Sequence, residues 1–96
     1  MMTKADLVNQ IVEETGLDKL EALTAVEAFM SSIKGSLASG NNVYLRGFGS
    51  FIVKKRKEKT GRNISKGTIV IIPAHNVPSF KPAKTFIEKV KENVKV

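Results

Sequence analysis

The sequence predicts an α+β fold: two N-terminal helices, a three-stranded antiparallel sheet with a long protruding β-arm, and a C-terminal helix. Three observations predict it. Apolar residues recur at helical spacing through residues 1–40, and the period switches to two at Val43. From Lys54 the strand chemistry continues after its apolar face has run out, because no apolar residue follows Val53 until Ile64.

Thr3 stands before Lys4-Ala5-Asp6, an N-cap with an acid at the capping-box position. Leu7, Val8, Ile11 and Val12 make one apolar stripe, and Thr15-Gly16 ends that helix. A second helix opens at Asp18, with Glu21 at the matching box position. Its residues Leu23, Val26, Met30, Ile33 and Leu37 step by 3, 4, 3 and 4, a heptad-like seam read as core within the domain. Ala22 and Phe29 widen the stripe, and Gly40-Asn41-Asn42 closes the helix with residues that tolerate left-handed backbone.

Val43-Tyr44-Leu45 reads as a short strand, Gly47-Phe48-Gly49 as a tight turn and Ser50 to Lys59 as a second strand. In that strand Phe51 and Val53 share one face, while Ile52, Lys54, Arg56 and Glu58 share the other. Turn chemistry brackets residues 60–67, and Thr68 to Ile72 returns as a β-rich run. Residues 54–62, extended at about 3.3 Å each, reach roughly 30 Å, similar to one helical turn of duplex DNA. Residues 73–78, with two prolines, read as a loop, and Pro82 suits the first turn of a last helix whose stripe is Phe86, Val90 and Val94.

The 96 residues carry a net charge of +7 and contain no cysteine. Such a chain is expected to be one domain without disulfides, thiol catalysis or thiolate-bound metal, in the cytosol. Its longest uninterrupted aliphatic run, Ile69-Val70-Ile71-Ile72, is far too short to span a bilayer, and Asp6, Glu13 and Glu14 interrupt any apolar leader. Residues 1–45 hold three lysines against six acids, whereas residues 46–96 hold 13 basic residues against three acids. Segregation of this kind points to a polyanion, either nucleic acid or an anionic membrane surface. The densest stretch, residues 54–66, has seven cations and Glu58 as its one acid. Lys55 and Lys57 alternate away from Lys54 and Arg56 and are assigned to solubility.

Lys81 and Lys84 flank the start of the last helix, where partial positive charge ordinarily attracts acids. An anion such as a DNA phosphate resolves that conflict and satisfies the free backbone N–H groups. Arg46 has two readings, a phosphate contact or a partner for an acid at a dimer seam. The lone histidine, His75, has no second histidine or cysteine with which to ligate a metal and is read as a surface residue. No nucleophile–base–acid set, Walker A loop or dinucleotide fingerprint is present, so neither an enzyme nor a bound cofactor is expected.

Arg46-Gly47-Phe48-Gly49-Ser50-Phe51, Thr60-Gly61-Arg62-Asn63, Ile72-Pro73-Ala74 and Val77-Pro78-Ser79-Phe80-Lys81-Pro82-Ala83-Lys84 follow one another with spacing that resembles the bacterial HU/IHF family of DNA-bending nucleoid proteins. The resemblance covers nearly the whole chain. It implies an intertwined dimer with a helical base (1–40), a sheet and arm (43–80, arm about 54–72) and a C-terminal helix (81–96), whose paired arms embrace duplex DNA through the minor groove. It places DNA contacts at Arg46, Lys54, Arg56, Lys59, Arg62, Asn63, Ile64, Lys66, Lys81 and Lys84, and a dimer core at Phe29, Phe48, Phe51 and Phe80. Two positions depart from the family pattern. Ile64 stands where an intercalating proline is usual, and Ile69 to Ile72 is apolar on both faces where apolar and charged residues usually alternate.

The expected function is architectural: binding duplex DNA with low sequence specificity, bending it and compacting the nucleoid. Alternatives are an IHF-like subunit with preferred sites, an RNA-binding basic protein and an oligomer held together by its aliphatic arm. A homodimer is expected, with a heterodimer open. Without the arm, about 77 residues remain, near the size at which single domains become marginal.

Overall fold

The computed structural model describes residues 1–63 and 67–96. Along the chain come α1 (Lys4–Thr15), α2 (Lys19–Ala38), β1 (Val43–Leu45), β2 (Gly49–Arg56), β3 (Lys59–Asn63), β4 (Thr68–Ile72), β5 (His75–Pro82) and α3 (Lys84–Asn93). The expected α+β order is present. Two compact units divide the chain, residues 1–35 and 36–96, with the boundary inside α2. No helix among the described residues is long and apolar enough to cross a membrane.

In the first unit the capping box forms in both directions. The Thr3 N–H donates to Asp6 Oδ2 at 2.9 Å, and the Asp6 N–H donates to Thr3 Oγ1 at 3.3 Å. The Thr3 N–H and, at 3.0 Å, the Thr3 hydroxyl both donate to Asp6 Oδ2, favouring the ionised form and holding the Asp6 carboxyl below its ordinary range. Gly16, at φ 73°, caps the other end of α1 and donates to the Val12 carbonyl. Val8 and Ala22 are the two buried apolar residues among those described. That is a small core for two helices.

The second unit begins with a Schellman ending of α2, in which the Gly40 N–H bonds the Leu37 carbonyl and the Asn41 N–H bonds the Ser36 carbonyl. β1, β2 and β5 then form an antiparallel sheet in the order β1-β2-β5, and β3 and β4 form a separate two-stranded ribbon. The Phe48 N–H closes the turn after β1 onto the Leu45 carbonyl at 3.0 Å, with Gly47 at φ 80°. Gly49 is required for a different reason. A Cβ there would lie 2.6 Å from the Lys81 carbonyl oxygen and 2.7 Å from the Phe80 ring. Just before β1 begins, Asn42 Oδ1 accepts from the Val53 N–H at 2.9 Å and extends the ladder by one bond.

Three expectations are corrected. The strand anticipated from Ser50 to Lys59 stops at Arg56 and resumes at Lys59 in the other sheet. Continuing the Arg56–His75 pairing places Glu58 opposite Pro73, which has no N–H to give the ladder. The stretch read as a loop through residue 78 is strand from His75 onward, and Pro78 pairs with Val53. β5 is an edge strand, where proline is tolerated. Pro82 closes β5 rather than opening the last helix, which starts at Lys84 after Ala83 as N-cap; Val94 is its C-cap.

Candidate nucleic-acid interface

Register gives the three-stranded sheet two unlike faces. Phe51 pairs with Val43 and Phe80, so these residues share a face with Val53 and Pro78. Phe48 and, from α3, Phe86 complete an aromatic cluster against it. Phe51 and Phe80 have ring centroids 4.8 Å apart, Phe48 and Phe80 5.2 Å, and Phe48 stacks on Phe86 at 5.6 Å. These are favourable aromatic separations. The other face carries Ser50 beside Lys81, Ile52 beside Ser79, Lys54 beside Val77 and Arg56 beside His75. Lys55 falls on the aromatic side of this alternation, as expected, and extends into solvent. Lys57 lies in the break between β2 and β3, outside any alternation.

At one end of the polar face lies a concavity of about 470 Å³ lined by Arg46, Ser50, Lys81 and Lys84 among others. Its local construction explains how distant residues meet. Arg46 is in the tight turn after β1, Ser50 and Lys81 are a cross-strand pair, and Lys84 is the first residue of α3. The Ala83 cap supplies no side-chain acceptor and no acid occupies the first turn, so α3 presents free N–H donors here. No carboxylate lines the concavity. Three cations, a hydroxyl and a helix N-terminus together form a receptor for an anion. Ser50 was not anticipated from the sequence, because only the register with Lys81 brings it in.

At the other end, Lys54, Arg56 and Lys59 are exposed near the break where β2 and β5 give way to β3 and β4. Arg62 and Asn63 belong to β3, with Arg62 paired to Ile69 and Asn63 to Thr68. Ile64 and Lys66 lie outside the described residues. Among the described residues the single ion pair joins Lys4 and Glu27, so Lys54, Arg56, Lys59 and Lys81 have no acidic partner there. The Lys4 ammonium holds the Glu27 carboxyl below its ordinary range, through a hydrogen bond first and charge second.

This geometry agrees with known proteins. The family model for bacterial DNA-binding proteins matches residues 2–91. DNA-binding protein HU of Staphylococcus aureus is 46% identical over 94% of this chain and all of its own length. The chain belongs to the HU family of bacterial DNA-binding proteins. HU of Thermus thermophilus is 43% identical over 95% of this chain and 94% of its own. Among solved structures, Anabaena HU in a cocrystal with DNA matches with a TM-score of 0.89 at 38% identity, covering 93% of this chain and 97% of that one. HU from Thermotoga maritima matches with a TM-score of 0.65 at 26% identity, over 93% and 98% of the two chains. This HU-family chain is therefore an architectural DNA-binding protein, and its paired concavity and ribbon are to be understood in that light.

Proposed function

We propose that the protein acts as a homodimer in the nucleoid, binding duplex DNA with little sequence preference and bending it, without catalysis. The observation that carries this reading is the concavity at Arg46, Ser50, Lys81 and Lys84, a phosphate receptor with no acid in it. A phosphate there accepts from the α3 N–H donors and the Ser50 hydroxyl while the three cations neutralise it. Lys54, Arg56, Lys59, Arg62, Asn63 and Lys66 follow the backbone along the arm. Ile64, at the family's proline position, is the wedge that enters a base step from the minor groove. Affinity then comes from counterion release, and preference from how readily the DNA deforms.

Dimerisation is supported by what one chain leaves uncovered. Phe48 is 45% exposed, Phe80 38% and Phe29 51%, although the first two belong to the aromatic cluster. A second copy that covers them supplies the core that one copy lacks. Phe29, Phe48, Phe51 and Phe80 remain the proposed seam.

Anisotropy titrations over a salt series test the reading. Replacing Arg46, Lys81 and Lys84 together with glutamine is expected to weaken binding to all duplexes, reducing the salt slope by about 0.9 for each phosphate lost. Ile64→Ser is expected to reduce bending, read by energy transfer between duplex ends, with the slope unchanged. An unaltered slope in the triple variant overturns the phosphate receptor. Equal affinity for duplex RNA at the same salt overturns DNA selectivity, because the A-form minor groove is wide and shallow and does not offer the arm the groove it enters in B-form DNA.

A further inference from the structure

The elbow between the three-stranded sheet and the ribbon has its own binding chemistry. Two links without ladder pairing join the sheets, residues 57–58 on one strand and 73–74 on the other. Around them lies a cavity of about 660 Å³, lined by Lys54, Lys55, Arg56, Lys57, Glu58 and Lys59, together with Ile72, His75 and Val77. Those six β2, link and β3 residues are all of its charged groups besides His75, five cations against one carboxylate; β4 and β5 contribute no other titratable side chain.

His75 is set in this cavity with a defined tautomer. Its Nδ1 is 3.0 Å from the Pro73 carbonyl oxygen. A carbonyl can only accept, so Nδ1 carries the hydrogen and Nε2 is left as the site for an added proton. His75 is also the direct cross-strand partner of Arg56, placing the ring beside a permanent cation. An anion lying between the two side chains would meet a guanidinium on one side and the free Nε2 edge of the imidazole on the other.

We propose that this elbow is a second phosphate subsite, and that His75 takes up a proton when a DNA phosphodiester occupies it. The proton comes from solvent to Nε2, which then donates to a nonbridging phosphate oxygen while Arg56 donates to the same group. Affinity for duplex DNA is thereby coupled to pH through the neutral range, in addition to the pH-independent clamp at the start of α3. The inference rests on the DNA-binding reading and adds a proton to its stoichiometry.

Anisotropy titrations with an intact duplex at constant ionic strength, at about pH 6 and about pH 8, test it. The unaltered protein is expected to bind about five- to tenfold more tightly at the lower pH, inside the limit of about tenfold per pH unit that uptake of one proton sets. His75→Gln is expected to match it at the higher pH and lose most of the gain at the lower one. His75→Lys, which keeps a cation at both pH values, is expected to bind tightly at both. Circular dichroism confirms that each variant is folded. If His75→Gln retains the full pH response, or His75→Lys binds no better than His75→Gln at the higher pH, the subsite is refuted while DNA binding stands. If the unaltered protein binds no duplex at either pH, the underlying DNA reading fails as well.

Discussion

The three-stranded sheet and the two-stranded ribbon share a basic sequence and adjoining strands, yet different forces hold them. In the sheet, alternation sends Phe51 and Phe80 to one side and Lys54, Arg56 and Lys81 to the other. In the ribbon, Val70 and Ile72 share one face with Gly61 and Lys59, while Ile69 and Ile71 share the other with Thr60. Every residue of β4 is exposed. The sheet is thus held by packing, whereas the ribbon depends on its ladder and on cross-strand pairs of about 0.2–1 kcal/mol each. A strand needs only suitable residues and a partner to form. It needs a buried face to be stable independently.

The largest expected effect separates the two regions directly. Phe80→Ala removes a ring that touches three others and should cost about 3 kcal/mol in urea denaturation, whereas Ile71→Thr should stay within about 0.5 kcal/mol. Equal costs would mean that the ribbon has a packed face after all. Gly49→Ala comes next, at about 2 kcal/mol, because the Lys81 backbone and Phe80 ring that its methyl meets are both fixed within the sheet. A Gly61→Ala change in the ribbon finds only ordinary contacts and should cost much less.

The smallest effect lies outside both regions and sharpens the contrast by being purely local. Asp6 has a folded-state carboxyl held below its ordinary value of 3.8, so its contribution is full above the carboxylate range and fades as the pH falls through the lowered value. Asp6→Asn should therefore lower stability near neutral pH and converge with the unaltered protein in strong acid. Thermal melts over a pH series measure that convergence. A deficit that persisted into acid would assign the loss to packing rather than to the charged cap.

Features set by neighbouring residues were legible in the sequence. The Thr3–Asp6 box, the Gly16 and Gly40 helix ends and the turn at Gly47 each depend on a few consecutive side chains, and all are present. The misread features depend on partners far along the chain. Pro78 and Pro82 resemble loop and helix-start signals until β5 is known to be an edge strand. Likewise the break after Arg56 is invisible in β2 itself, since the interruption comes from Pro73 on the opposite strand. The site follows the same rule. Lys81 and Lys84 were expected from the helix start, and register alone adds Ser50 to them.

The ribbon has a consequence for solubility. Two strands without flanking neighbours leave two open edges, each a template on which another extended chain can add, and β4 offers a run of four aliphatic residues as bait. Such a segment ordinarily favours aggregation unless charge guards it. Here the guards are Lys59, Arg62 and Lys66, the same cations proposed to contact DNA. Repulsion keeps free copies apart, and contact with a polyanion removes that repulsion. Variants that neutralise the arm to weaken DNA binding should thus also be those that precipitate, so colloidal behaviour and affinity cannot be tuned independently through these side chains.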